Sequence, residues 1–353
     1  MTETSTAPKR RGRLVRFGAA LIVLFSLAGY FAARHMPGGG AGPSGPGCEV
    51  VASGGRGEPA RYEFTPEQAV NAATITAVGT ARELPERAVT IALATALQES
   101  ALRNIRYGDR DSLGLFQQRP SQGWGRPAEI MDPAYAAGQF YDHLVKVQDY
   151  ADLPLTVAAQ EVQRSAYPDA YAKHEPDAEL LAAALTGRSA ATLTCSGPSA
   201  SDAPARPDAV RAALARDFDT EVLGKAAAEV PAGRGAGARQ ADARQADARG
   251  TGGAPGRVST AGSRESAASA SPSPAAARTV TVPVAEPGAR QRGWQFAHWA
   301  VANASDLGIE RVTYGGRSWT ADRGDWRKAG DDGSRGTHGS PGSDARVSIV
   351  TSR

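Results

Sequence analysis

Aromatic residues are scarce in this chain of 353 residues, at 6% of the total, whereas glycines number 40 and prolines 23. A chain with so few large side chains and so many turn-forming residues cannot bury its whole length in a packed core. The length allows two folded domains, and the composition predicts substantial stretches outside them.

A strong excess of one charge is also missing, because the formal net charge is only +3. Beyond the first sixteen residues, Lys and Arg do not cluster among aromatic side chains, as they do on surfaces that bind nucleic acid. The sequence therefore argues against a nucleic-acid partner.

One long run without charge stands out, at residues 17–33, directly after a basic cluster. As a helix it would rise about 25 Å, enough to cross a bilayer core. The basic cluster favours a cytoplasmic N-terminus and an exported remainder, with a cleaved signal peptide as the alternative. We therefore predict a cell-membrane protein with a single N-terminal transmembrane helix and an extracytoplasmic bulk.

Only two cysteines are present, Cys48 and Cys195. An even count in an exported chain is typical of a disulfide, and two unpaired thiols are the alternative. In the loop-entropy model, closing so long a loop would stabilise the fold by up to roughly 5 kcal/mol. We predict that this pair brackets one domain.

Shifts in composition divide the chain into five predicted parts. Residues 1–36 form the basic tail and anchor, 37–47 a flexible spacer, and 48–195 a helical domain. Residues 196–278 form a low-complexity linker with one amphipathic helix near its start, and 279–353 a small α+β module. The predicted fold class is mainly α.

Helix signals are strongest in the 48–195 domain. Thr65, Pro66 and Gln68 predict a capping box, and a second helix, apolar on nearly every side, follows from about Pro85. Further helices are predicted to begin at Asp132-Pro133, Thr156, Pro168 and Pro176. Between them, residues 101–123 are predicted to be a loop with one short extended piece at 113–118.

Glu99 ends the second predicted helix and precedes the polar loop. The negative end of the helix dipole and the apolar packing both favour the neutral acid and should raise its pKa. Cleavage of a glycosidic bond needs such an acid to protonate the leaving oxygen. The alternative is a structural acid that pairs with Arg103 one turn further on.

The ordered set Glu99-Ser100, Asn104, Ser112 and Gly114-Leu115-Phe116-Gln117 resembles the signature of lytic transglycosylases and goose-type lysozymes. It is especially similar to the lysozyme-like domain of actinobacterial membrane-anchored proteins, and the resemblance covers about 48–195. It implies cleavage of the β-1,4 bond between N-acetylmuramic acid and N-acetylglucosamine in peptidoglycan glycan strands, without a cofactor or a metal.

The same resemblance implies roles for individual residues. Glu99 matches the general acid, Ser100 a residue that orients the carboxylate or the substrate, and Gln117 a glutamine that contacts the sugar. No second carboxylate stands out, because Asp109 and Asp111 are typical of turns. This favours a transglycosylase, which reuses its one glutamate as a base, over an inverting hydrolase.

Four further residues are predicted to bind substrate. Asn104 and Ser112 belong to the matched pattern, and the late cleft tyrosine of the family corresponds to Tyr167 or Tyr171. The Ala-Tyr-Asn motif that usually carries this tyrosine is absent here. Trp124 is equally compatible with a core position and with a sugar-stacking platform.

Residues 279–353 are predicted to contain a helix, a hairpin across Gly315-Gly316 and a last strand at 346–350, with four tryptophans in the core. The module is similar to a small domain of actinobacterial wall proteins related to zinc peptidases. No metal is expected, because His298 and His338 alone cannot supply three ligands. The alternative that this module binds a wall-associated protein partner stays open.

Two other readings of the whole chain remain. One is a non-catalytic scaffold that keeps the lysozyme-like fold to hold glycan, and the other is a membrane protein with an unrelated helical domain. The expected position of Glu99 favours the enzyme over the scaffold, and a missing Cys48–Cys195 disulfide would support the unrelated domain.

Overall fold

The computed structural model of this chain contains nine helices and eight strands within the part that it describes. That part comprises residues 46–54, 58–165, 168–197, 207–220, 278–284, 288–330 and 345–352. The predicted mainly α class is therefore wrong, and the fold is mixed α/β. Three of the strands gave only a weak signal in the sequence because they have four or five residues each; they lie at 47–51, 61–64 and 193–196.

Among these described residues, no helix combines the length and the apolar character that crossing a membrane requires. The longest has 16 residues. The prediction of a single-pass cell-membrane protein is therefore not supported and is corrected here. The stretch 17–33, on which that prediction depended, lies outside the described residues.

The first part of the described chain, residues 46–197, contains six α-helices. They are α1 (Pro66–Ala81), α2 (Glu86–Ser100), α3 (Pro127–Ile130), α4 (Pro133–Leu144), α5 (Leu155–Gln163) and α6 (Glu175–Leu185). The capping box predicted at Thr65 and Gln68 is confirmed, with both reciprocal hydrogen bonds present. Asp132 caps α4 as predicted, whereas the cap of α5 is Pro154, two residues before the predicted Thr156.

A three-stranded antiparallel sheet joins the two ends of this first part. Its strands are β1 (Gly47–Val51), β2 (Arg61–Phe64) and β3 (Leu193–Ser196), in the order β2-β1-β3. Cys48 lies opposite Cys195 in the β1–β3 register, and the two form a disulfide. The predicted disulfide is confirmed.

A second antiparallel sheet belongs to the late part of the chain. Its strands are β4 (Thr279–Pro283), β5 (Ile309–Tyr314), β6 (Arg317–Thr320), β7 (Trp326–Lys328) and β8 (Arg346–Thr351), in the order β4-β8-β5-β6-β7. The predicted hairpin is confirmed, because Tyr314 pairs with Arg317 across Gly315 and Gly316. The predicted last strand is confirmed as β8.

Three helices accompany this second sheet: α7 (Pro207–Phe218), α8 (Ala289–Ala302) and α9 (Ala304–Leu307). Helix α8 packs against α1, α6 and β3 of the first part. Gln295 on α8 donates a 2.6 Å hydrogen bond to the Thr80 hydroxyl on α1, and Nδ1 of His298 bonds the Ala184 carbonyl at 2.7 Å. The late helix therefore rests directly on the helical part that carries Glu99.

The four late tryptophans are buried, as predicted, but they do not form a separate core. Trp319 and Trp326 donate from their indole nitrogens to the backbone carbonyls of Cys195 and Leu193 on β3. All of the described residues belong to one compact unit. The early and late parts thus share one hydrophobic core.

Candidate functional site

The C-terminal end of α2 is held in place by side chains of α1. The chain leaves α2 through Ala101 and Leu102, whose φ angles are 53° and 56°. Gln68 donates to the Ala101 carbonyl and Asn71 to the Leu102 carbonyl, each at 2.8 Å. These bonds satisfy carbonyl groups of two residues that follow the helix in the left-handed backbone conformation. Ala and Leu adopt that conformation only when the surrounding structure imposes it. Glu99 therefore lies at a helix end that side chains of α1 hold in place.

The partly buried Glu99 carboxylate accepts hydrogen bonds from two uncharged donors. The Tyr171 hydroxyl donates to Oε1 at 2.7 Å, and the Gln163 side chain also hydrogen-bonds the carboxylate. Burial raises the pKa of Glu99, and the two donors only partly offset this effect because they stabilise the charged form. The predicted direction of the pKa shift is confirmed.

Tyr171, one of the two predicted cleft tyrosines, is fully buried. Burial, followed by the neighbouring charge of Glu99, raises the pKa of its phenol, and Ser165 also hydrogen-bonds this hydroxyl. Tyr171 is therefore a neutral donor at any physiological pH. The other candidate, Tyr167, lies outside the described residues.

Residues 113–118 form a tight turn rather than the predicted extended piece. Leu113 and Gln118 exchange backbone hydrogen bonds at 3.0 Å in both directions, which closes the turn. Two side chains near Glu99 bond to backbone carbonyls of this turn. Ser100 donates to the Leu115 carbonyl and Gln163 to the Phe116 carbonyl, each at 2.8 Å. The turn is therefore anchored to the residues that flank the carboxylate.

The remaining predicted substrate contacts donate hydrogen bonds to backbone carbonyls. Asn104 donates to the Met131 carbonyl at 2.8 Å, and the buried Ser112 donates from its amide to the Asp109 carbonyl. Gln117, at a φ of 49°, donates to the Gly114 carbonyl at 3.2 Å. Within the described chain, no hydrogen bond links these three side chains to Glu99, and their roles in substrate binding stay predictions.

No ion pair to Glu99 forms among the residues that the structure describes, so the alternative pairing with Arg103 does not occur there. Asp111 accepts from the Arg119 side chain at 2.9 Å and from the Ser121 amide at 2.8 Å. These donors hold the pKa of Asp111 well below its usual range. Asp109 has a solvent-exposed side chain. The two acids thus occupy loop positions, as predicted.

Two features around the turn bear on sugar binding. Trp124 is half-buried, and its ring lies 4.1 Å from that of His143, centroid to centroid. Tyr107 is 72% exposed and precedes Gly108, where a Cβ would collide with the Gln117 side chain. The loop that carries Tyr107 therefore lies directly against the predicted sugar-contacting glutamine.

Three cavities in the described chain lie away from Glu99. One of about 330 Å³ lies where the ends of α1 and α6 meet the start of α8, and one of about 400 Å³ lies between β3 and α9. A third, of about 380 Å³, is lined in part by Asn104 and by Asp306, whose pKa is raised by burial. Among the same residues, no cluster of three or more His, Cys, Asp or Glu could hold a metal ion.

Gln163 is the member of this site that sequence analysis did not single out. A glutamine at a helix end carries no sequence signal for a contact with a residue so distant in the chain. Only the packing of α5 beside the end of α2 brings its amide to the carboxylate.

In a comparison with protein families, residues 236–339 match the model described as VldE, C-terminal domain. The match covers less than a third of the chain and includes α8 and strands β4–β7, but not Glu99. No curated protein matched the chain. The match therefore concerns the late part of the chain. The chemistry of the site around Glu99 is argued from its geometry alone.

Proposed function

We propose that this protein cleaves the β-1,4 glycosidic bond between N-acetylmuramic acid and N-acetylglucosamine in peptidoglycan, with Glu99 as its only acid and base. One observation carries the proposal: a partly buried carboxyl group with a raised pKa accepts hydrogen bonds from two neutral donors, Tyr171 and Gln163. Burial favours the protonated acid, and the donors stabilise the anion once the proton has left.

In the proposed reaction, Glu99 donates its proton to the bridging oxygen as the bond from that oxygen to C1 of the muramic acid residue breaks. The carboxylate then takes the proton of the 6-hydroxyl of the same sugar, whose oxygen bonds to C1 and closes a 1,6-anhydro ring. Glu99 regains the proton that it gave. The reaction therefore needs no second carboxylate, which agrees with the engagement of Asp111 by Arg119 and Ser121.

Digestion of purified sacculi by the full chain, beside Glu99→Gln, tests this proposal. The wild type should release muropeptides with 1,6-anhydro ends, seen by mass spectrometry, and Glu99→Gln should release none above background. Reducing ends instead would make the protein a hydrolase. Equal release by both proteins would remove Glu99 from the chemistry. The full chain is required because α8 packs on α1 and α6.

A protein that binds glycan without cutting it is the second candidate. Co-sedimentation with sacculi separates the two functions, because this candidate requires binding by the wild type with no released muropeptide.

A further inference from the structure

Gln163 is the last residue of α5, and its side chain turns toward the end of α2. The helix stops there because Arg164 adopts a left-handed conformation, with a φ of 50°. Gln160 donates to the Ser165 carbonyl at 2.9 Å and fixes the chain just beyond this stop. The Gln163 side chain therefore projects from a well-anchored helix end.

A single amide group of Gln163 contacts two parts of the site. Its Nε2 donates to the Phe116 carbonyl at 2.8 Å, and the same side chain hydrogen-bonds the Glu99 carboxylate. A primary amide has two N–H donors, so both contacts can be made at once without a positive charge. A lysine or arginine in this place would instead favour permanent ionisation of Glu99.

We propose that Gln163 is a positioning residue that clamps the Glu99 carboxylate to the 113–118 turn, so that the acid and the backbone beside the predicted sugar contact Gln117 keep a fixed geometry. The inference rests on the proposed function, because only a reacting carboxylate needs this orientation. Ser100 holds the neighbouring carbonyl, of Leu115, from the other element, α2. The turn is thus held from α2 and α5 together.

The clamp has an electrostatic consequence that a purely structural bond would lack. The Gln163 amide stabilises the anionic form of Glu99, so its loss should raise the pKa of Glu99 by about one pH unit, given the usual strength of hydrogen bonds to charged groups. The loss of orientation should also lower kcat by about tenfold to a hundredfold.

The test measures the pKa of Glu99 in the full chain by ¹³C NMR of carboxyl-labelled glutamate, with the Glu99 signal assigned by its absence in Glu99→Gln. Gln163→Leu should raise this pKa and move the alkaline limb of the pH–activity profile upward. Gln163→Glu keeps the side-chain size and should raise the pKa further, because a second carboxylate then faces Glu99. If the Leu variant fails to fold, the Glu variant carries the test.

Gln118→Leu is the matched control. Gln118 is a buried glutamine of the same turn, and its amide donates to the Ala136 carbonyl rather than to Glu99. This variant should lower thermal stability and leave the pKa of Glu99 in place. An unchanged pKa in both Gln163 variants, or an equal rise in Gln118→Leu, would overturn the clamp. Because NMR reports the pKa without turnover, failure of the proposed cleavage would be seen separately, as an inactive wild type.

Discussion

The Trp299 indole donates a 2.8 Å hydrogen bond to Oδ2 of Asp217, and both side chains are buried. The same oxygen accepts from the Thr74 hydroxyl at 3.1 Å, and Oδ1 accepts from Nε of Arg216 at 2.7 Å. One carboxylate therefore joins α1, α7 and α8, which come from early, middle and late parts of the chain.

Asp217→Ala should destabilise the fold by about 1–3 kcal/mol, because it leaves the buried Trp299 N–H and Thr74 hydroxyl without their acceptor. Denaturant unfolding followed by tryptophan fluorescence measures the change. Asp208→Ala on the same helix is the control, since its carboxylate is exposed and bonds only Arg211 among the described residues. Equal stabilities of the two variants would contradict a joining role for Asp217.

Removal of the disulfide by Cys48→Ser and Cys195→Ser should lower the free energy of unfolding by up to roughly 5 kcal/mol, the loop-entropy figure for a closure of 147 residues. The physical cause is the larger freedom of the unfolded chain. Urea unfolding of the wild type with and without reductant gives the same comparison without mutation. No difference between oxidised and reduced protein would speak against the bond.

Glu99→Gln should lower the rate of glycan cleavage by at least about a hundredfold, the usual contribution of a general acid. The same variant should be more stable than the wild type at neutral pH. The folded chain binds the Glu99 proton more tightly than the unfolded chain does, so the free energy of unfolding falls as the pH rises through the raised pKa. Thermal unfolding at pH 4 and pH 7 checks this, with a gain expected only at pH 7.

Tyr171→Phe should raise the pKa of Glu99 further, because the mutation removes the hydroxyl that stabilises the anion. The alkaline limb of the pH–activity profile should therefore move to higher pH, while the maximal rate falls. Tyr141→Phe is the control: this tyrosine is also buried, but its hydroxyl donates to the Ile75 carbonyl. A shift of the limb in Tyr141→Phe would point to general loosening of the core instead.

His298 should make the fold sensitive to acid. Its Nδ1 contacts the Ala184 carbonyl, its buried Nε2 has no partner among the described residues, and burial lowers its pKa to about 4. The unfolded chain takes up the proton near pH 6.5 and the folded chain only near pH 4. As the pH falls from 6.5 to about 4, the free energy of unfolding should therefore decrease by up to roughly 3 kcal/mol. It should change little at lower pH.

Unfolding measured from pH 7 to pH 4, beside His298→Leu, tests this prediction. The variant should lose the part of the pH dependence that belongs to this imidazole. His143→Gln is the control, because that ring is partly exposed on α4. A pH dependence that is unchanged in His298→Leu would exclude His298 as its source.

The features that sequence analysis predicted correctly depend on near neighbours in the chain. Thr65 with Gln68 and Asp132 before Pro133 mark helix starts through bonds that span three residues or fewer. The amphipathic helix predicted near the start of the linker is α7, and its apolar residues Val210, Leu214 and Phe218 are buried. The helix that carries Glu99 and the raised pKa of this carboxyl group also follow from the local pattern, whereas its catalytic role stays a prediction.

The features that were missed depend on contacts between distant elements. Asp217 is a charged residue on an amphipathic helix, and nothing nearby in sequence indicates that Thr74 and Trp299 enclose it. The 113–118 segment was predicted as extended, and the side chains of α2 and α5 that anchor its turn carry no signal in the local sequence. The packing of α8 on α1 and α6 follows from matching surfaces, which a hydrophobic pattern does not specify.

The two indoles that donate to Leu193 and Cys195 occupy the open edge of β3, the outermost strand of its sheet. A fragment that stops at the second cysteine would leave those carbonyls, and the apolar flanks of α1 and α6, uncovered. Bare strand edges recruit other strands, so such a fragment should self-associate. An absence of glycan cleavage by such a fragment would then reflect aggregation and would not test the role of Glu99.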